Sequence, residues 1–310
     1  MKNLIPFLGT TGSHCGKVRD SYFFTSLIVA ITSNRISAFD VVSLQEIPSK
    51  GQVLNQLAIY FLNATKDIVP NWLVGSPHPQ ISIGWKCIPF KVEFVVRRYL
   101  YGSMWRSYMK GQRQFWGITL PDGMREGQKL PNVMVTPSTK ADLGMHDEDI
   151  TAEAIVAEGL MTQAEYDMVA DYSLKLFARG SDMAAEKGLL LVDTKYEFGK
   201  KDDEIMLIDE VHTPDSSRYF YADSYEENFA NGTPQRELSK EFVRKWLMDN
   251  GFNGTAGQIM PTFPNDFIAD VSNRYIELYE ILTGEKFSAQ PLPDTEEEIR
   301  HMVTEALRNF

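Results

Sequence analysis

The chain has 310 residues, 43% hydrophobic and 24% charged, which is ordinary globular usage and excludes both a disordered chain and a fibre. Its formal net charge of -11 excludes a general nucleic-acid or membrane-surface binder, which needs a basic field, so any anionic ligand must meet local cations. Cys15 and Cys87 are too few for a disulfide framework, and no apolar run approaches a membrane span of ~18 residues, so a soluble, cytoplasmic protein of one large or two ordinary domains is expected.

Residues 15–24 and 27–31 read as a β-hairpin with Lys17 and Arg19 on one strand face. Two cations beside Gly16 suit phosphates where the backbone comes close; an exposed edge strand is the plainer alternative. After Pro48-Ser-Lys-Gly51, the spacing of Val53, Leu54, Leu57, Tyr60 and Phe61 predicts a helix. Residues 88–100 predict a strand closed by Arg97 and Arg98, with Gly102-Ser103 as the turn behind it. A guanidinium fork there suits carboxylate or phosphate, and equally a surface end. Residues 112–135, rich in Gly, Pro and charge, predict an extended connection. The polar run 136–149 predicts a functional loop, although His146 to Asp149 lack the pattern of a calcium loop.

Thr162 and Glu165 form a capping box for a long helix ending near Gly188. Two apolar runs follow, 189–192 and 205–208, each ending in carboxylates with a Gly and Lys/Asp loop between, which predicts a hairpin bringing acids to one place. As a strand, the first arm carries Asp193, Lys195 and Glu197 on one face, ~6.6 Å apart in turn, and Asp209 or Glu210 returns on the second arm. Residues 221–235 predict a polar loop. Three helices then follow, around 242–247, over 265–283, and behind a Thr295/Glu298 capping box.

Sparse carboxylates beside scattered cations favour Mg2+ with a polyphosphate, because Mg2+ needs only one or two protein carboxylates besides substrate phosphates. Glu197 and Asp209 are the candidate metal ligands, with Lys17, Arg19 and Lys195 to balance phosphate charge. No Walker loop, dinucleotide fingerprint, serine elbow or zinc pattern accompanies them.

Eight runs in order resemble the SAICAR synthetase (phosphoribosylaminoimidazole-succinocarboxamide synthase) family: Gly16-Lys-Val-Arg-Asp20, Asn34-Arg-Ile-Ser-Ala-Phe-Asp40, Ile47-Pro-Ser-Lys-Gly51, Val96-Arg97, Gly102-Ser103, residues 136–150, Asp193-Thr-Lys-Tyr-Glu-Phe-Gly199, and Asp209-Glu-Val-His-Thr-Pro-Asp-Ser-Ser-Arg218. The resemblance implies an α+β or α/β fold of two lobes, with a kinase-like β lobe over residues 1–90 covering ATP in a cleft. Residues 91–310 would then form a larger α/β substrate and metal lobe with C-terminal helices. It implies ligation of L-aspartate to carboxyaminoimidazole ribotide (CAIR) at the expense of ATP, with Mg2+, as a monomer or homo-oligomer without nucleic-acid or membrane partners.

By the same resemblance, Lys17 and Arg19 meet ATP phosphates, and the backbone from Cys87 to Phe90 lines adenine. Glu197 and Asp209 hold the metal, and Arg97, Ser103, Asp215 and Arg218 surround the ribotide. Lys195, Asp193, Asp40 and Lys140 are the implied catalytic groups, with Ser138 and Asp147 near the reacting groups or aspartate. Arg98, Tyr101 and His212 depart from the family pattern; packing is the expected reason for His212. A related carboxylate-amine ligase, a small-molecule kinase or a non-catalytic nucleotide-binding relative are the alternatives.

Overall fold

A computed structural model describes residues 5–140 and 148–310. In chain order its elements are β1 (Gly12–Cys15), β2 (Arg19–Phe23), β3 (Leu27–Thr32), β4 (Arg35–Ala38), β5 (Val41–Glu46), α1 (Lys50–Ala64), β6 (Leu73–His78), β7 (Ile81–Trp85) and β8 (Ile88–Leu100). Next come α2 (Gly102–Met109), β9 (Gln114–Phe115), β10 (Ile118–Thr119), β11 (Gln128–Thr139), α3 (Ala152–Ala157), α4 (Gln163–Ala185), β12 (Leu189–Lys201), β13 (Glu204–Ile208) and β14 (Ser217–Tyr221). The chain closes with α5 (Ala222–Asn231), β15 (Glu237–Leu238), α6 (Glu241–Asp249), α7 (Asn265–Thr283) and α8 (Glu296–Leu307). It is a mixed α+β chain whose named strands all pair antiparallel.

Two compact units divide the chain. The first comprises residues 1–62, 72–87 and 240–310, so the three C-terminal helices group with the N-terminal strands. Its sheet runs β1-β2-β3-β7-β6. The reason for the grouping is apolar: Ile299 and Val303 of α8 are buried with Tyr22, Val29, Ile31, Ile81 and Ile83 of that sheet. Fully burying such a side chain contributes about 1.5–3 kcal/mol.

The second unit comprises residues 63–71 and 88–239. Its sheet runs β11-β8-β12-β14-β15, with β13 against the distal half of β12. The period of two along β12 separates two faces. Tyr196 and Phe198 are buried with Phe94 of β8 on the α4 side, where Phe94 meets Tyr166 at 5.8 Å between ring centroids. Asp193, Lys195 and Glu197 occupy the opposite face. The Thr162/Glu165 capping box starts α4 as the sequence predicts.

Four expectations change. Lys17 lies in the turn between β1 and β2, and only Arg19 is on a strand, so the two do not share a strand face. The expected hairpin forms between β12 and β13, but the apolar runs 189–192 and 205–208 do not pair with each other in it: the first pairs with β14, and the second with residues 197–200. Residues 112–135 are a packed piece rather than a bare connection, because Phe115, Leu120, Met124, Leu130 and Met134 are buried with Leu100, Met104 and Tyr108. Their irregular spacing hides them from any periodicity. Residues 222–231 form α5 where a loop was expected; Tyr225 and Phe229 are its only apolar anchors, and Gly232 ends it at φ +69°.

Candidate active site

In the first unit, Gly16 allows the β1–β2 turn, since a Cβ there would lie 2.6 Å from the Arg19 carbonyl oxygen. Arg35 pins that turn, donating to the carbonyls of Gly16 (3.0 Å) and Lys17 (3.2 Å) and, bidentate, to Asp20 (3.1 and 2.6 Å). Phe39 (φ +51°) and Asp40 (φ +63°) are the two left-handed residues of the tight β4–β5 turn. The Asp40 carboxylate pairs with the Lys17 ammonium. Both side chains are about half exposed (54% and 49%), so the pair contributes at most ~1 kcal/mol and serves to hold Lys17 in place. Arg19 donates to Thr32 Oγ1 at 3.3 Å. Cys87 is half-buried, its Sγ 3.6 Å from the Trp85 carbonyl. Phe90, likewise half-buried, lies in the second unit near the start of β8.

In the second unit, charge is organised across neighbouring strands by register. Asp193 of β12 is the Cα partner of Arg97 on β8 and of Arg218 on β14. Its Oδ2 accepts from Arg218 at 3.0 Å and lies 3.5 Å from Arg97 Nη1. Burial lowers the Arg97 guanidinium pKa, and Asp193 works against that shift. Arg97 also donates to Thr136 Oγ1 at 3.0 Å. Gly102 (φ +61°) starts α2 against Arg218; a Cβ at Gly102 would fall 1.8 Å from Arg218 Nη1. Ser103 is exposed in the first turn of α2, which no side chain caps. The uncapped start of this helix lies beside the Arg218 guanidinium, an arrangement suited to phosphate.

Two residues along the same face, Lys195 donates at 2.8 Å both to Glu197 Oε1 and to Glu93 Oε1. Glu93 is the register partner of Glu197 across β8, and Lys140 pairs with the other Glu197 oxygen. Burial alone would depress the Lys195 ammonium, but Glu197 and Glu93 outweigh it and hold the pKa raised. Burial pushes the Glu197 carboxyl up, and Lys195 and Lys140 overcome it, holding it well below the usual carboxylate range.

Asp209 follows directly on Ile208, the register partner of Glu197, and its φ of +63° turns the chain out of β13. Glu210, the other acid considered for the metal, accepts from Thr213 Oγ1 at 3.0 Å. The Asp215 N–H donates to that same hydroxyl at 3.3 Å, in the turn feeding Arg218 into β14. Ser138 is half-buried and faces Glu93 in register, while Asp147 lies outside the described residues. Among the described residues no three His, Cys, Asp or Glu side chains are grouped to hold a metal ion. Glu197 is nevertheless an ionised oxygen donor with Asp209 beside its register partner, and such a spare, all-oxygen set suits Mg2+ that takes its remaining ligands from phosphates and water.

Sequence reasoning missed Glu93. Its signal was an acid in the interior of a buried strand, four residues before Arg97 and hence on the same face. His212 is fully buried, with Nε2 3.3 Å from the Leu176 carbonyl and 3.2 Å from the Tyr196 hydroxyl, and burial lowers its pKa to about 4. A Cβ on Gly180 would come within 2.4 Å of its ring. His212 is thus a packed core residue, as expected. Tyr101 is buried edge-on against Phe220 at 5.0 Å, and Arg98 donates to the Leu130 carbonyl at 3.0 Å.

Residues 13–259 match the profile of the SAICAR synthetase family. The chain is 52% identical over 298 residues to the phosphoribosylaminoimidazole-succinocarboxamide synthase of Bacteroides thetaiotaomicron, covering 96% of this chain and 95% of that one. It superposes on "SAICAR-synthase from Saccharomyces cerevisiae complexed SAICAR" with a TM-score of 0.77 and 32% identity, covering 93% of this chain and 98% of the yeast one. A second structure, "SAICAR synthetase (Type-2) in complex with ADP", shares the fold at a TM-score of 0.69 and 24% identity, over 90% and 100% of the two chains. Because the matched span contains both the Arg97–Asp193–Arg218 ladder and the Glu93–Lys195–Glu197 cluster, the chain belongs to the SAICAR synthetase family.

Proposed function

We propose that this protein ligates L-aspartate to CAIR with cleavage of ATP to ADP and phosphate, as a cytoplasmic enzyme of purine biosynthesis. The observation that carries this reading is the single face of β12, where a two-arginine anion site around Asp193 adjoins the lysine and carboxylate cluster around Glu197. Arg97, Arg218, Ser103 and Asp215 hold the ribotide, with Asp193 fixing both guanidiniums. Lys17 and Arg19 neutralise ATP phosphates, Asp40 steadies Lys17, and the backbone from Cys87 to Phe90 receives adenine. Glu197 and Asp209 hold Mg2+, which supplies charge neutralisation for phosphoryl transfer.

The ribotide carboxylate attacks the γ-phosphorus, the bond to ADP breaks, and an acyl phosphate forms. Lys195 and Lys140 screen the negative charge that otherwise repels this attack. The aspartate amine then adds to the acyl carbon and loses its proton. Phosphate leaves with one former carboxylate oxygen, so the amide keeps the other. Ser138 is assigned to the reacting groups or aspartate. With CAIR labelled by 18O in the carboxylate, this chemistry delivers one 18O to each phosphate released; unlabelled phosphate contradicts it.

A further inference from the structure

Four charged groups form an unbroken chain, Glu93–Lys195–Glu197–Lys140. Glu93 and Glu197 are register partners on adjacent strands and are each only 7% exposed, a placement in which like charges directly opposite repel. Lys195, anchored on the central strand, bridges them at 2.8 Å on each side. Lys140 differs: its side chain is 42% exposed, and its backbone N–H is held by the Lys91 carbonyl at 3.0 Å on the far side of β8. Two carboxylates and two ammoniums make the cluster neutral. Removing Lys140 leaves it at -1, whereas removing the Glu93 charge leaves it at +1.

We propose that Glu93 is a positioning residue that sets the charge of this site: it shares the Lys195 ammonium with Glu197, so that a divalent cation gains Glu197 by displacing Lys140 alone. This rests on the assignment of Glu197 to the metal. Without Glu93, Lys195 falls wholly to Glu197, and an entering cation meets, besides Asp209, two ammoniums balanced by the single carboxylate of Glu197. With Glu93 in place, the fixed part of the cluster keeps one net negative charge, and only the exposed lysine has to move. Lys140 and the cation then exclude one another at Glu197, which frees the ammonium for substrate when the metal is present.

Mn2+ binding to the nucleotide-free full-length protein, read by the loss of the free-ion EPR signal, tests this without turnover. Glu93→Gln weakens Mn2+ binding by about tenfold or more although Glu93 is not a ligand, Lys140→Gln strengthens it by a similar factor, and the double variant returns near the wild-type value because its cluster is again neutral. Opposite signs and mutual compensation are not produced by a merely structural loss. The proposal is overturned if Glu197→Gln abolishes binding while neither Glu93→Gln nor Lys140→Gln shifts it, or if both shift it in the same direction. Binding indifferent to Glu197→Gln, or absent in every form, removes the metal assignment itself and the proposal with it.

Discussion

Asp193→Asn removes the one carboxylate that Arg97 and Arg218 share. The side chains of the three residues are 9%, 6% and 14% exposed for Arg97, Asp193 and Arg218, so water does little to replace the lost charge. At an effective dielectric constant of ~20, contacts of 3.0 and 3.5 Å are each worth about 5 kcal/mol of gross attraction, and desolvation of three ions offsets most of that. What the substitution exposes is the remaining imbalance, two largely buried guanidiniums deprived of the carboxylate they share, at a cost of about 3–5 kcal/mol. Urea denaturation at pH 7 measures it as a lower midpoint with an unchanged slope. Arg218→Met made in the Asp193→Asn background should recover part of the loss, since it relieves the guanidinium repulsion, although the same change alone destabilises. A loss under about 1 kcal/mol for Asp193→Asn, or strictly additive effects of the two changes, would refute the shared-counterion account.

Gly102→Ala forces a Cβ into Arg218 at a left-handed φ, so it should cost about 1–3 kcal/mol of stability and raise the KM for CAIR more than that for ATP; equal effects on both substrates contradict the placement of Arg218 at the ribotide. The folded-state pKa of His212, about 4, lies below its ordinary value of 6.5, so the native state binds fewer protons than the unfolded chain. The stability His212 contributes is complete above about pH 6.5 and declines as pH falls toward 4, by up to about 3 kcal/mol; a His212→Gln variant with the same pH slope would contradict this. Glu197→Gln and Asp209→Asn should each lower Mg2+-dependent turnover by about 100-fold with the far-UV spectrum unchanged, and near-normal turnover in either variant displaces the metal site.

Periodicity and capping chemistry were legible where one strong local signal decided the outcome. Thr162 with Glu165 and Thr295 with Glu298 each form the reciprocal capping bonds their spacing predicts, and α7 runs from Asn265 to Thr283 as read. Residues 112–135 were not legible, because Phe115, Met124 and Leu130 are buried by contacts with α2 and β8, and no local repeat records such partners. The acid face of β12 was read correctly, but its meaning depends on strand order. Only the pairing of β8 with β12 brings Glu93 opposite Glu197, and only β14 on the other side brings Arg218 to Asp193. The hairpin of β12 with β13 forms as read and sets Asp209 beside Glu197, but it closes on residues 197–201; residues 189–192 choose β14 as a partner from a distance that sequence spacing does not encode.

ADP release by the purified protein, measured in a coupled assay with CAIR, L-aspartate and ATP present together and then omitted singly, tests the central claim most directly. Sustained release, stoichiometric with amide product, is expected only when all three are present. ADP formation that continues at full rate without aspartate or without the ribotide would contradict it.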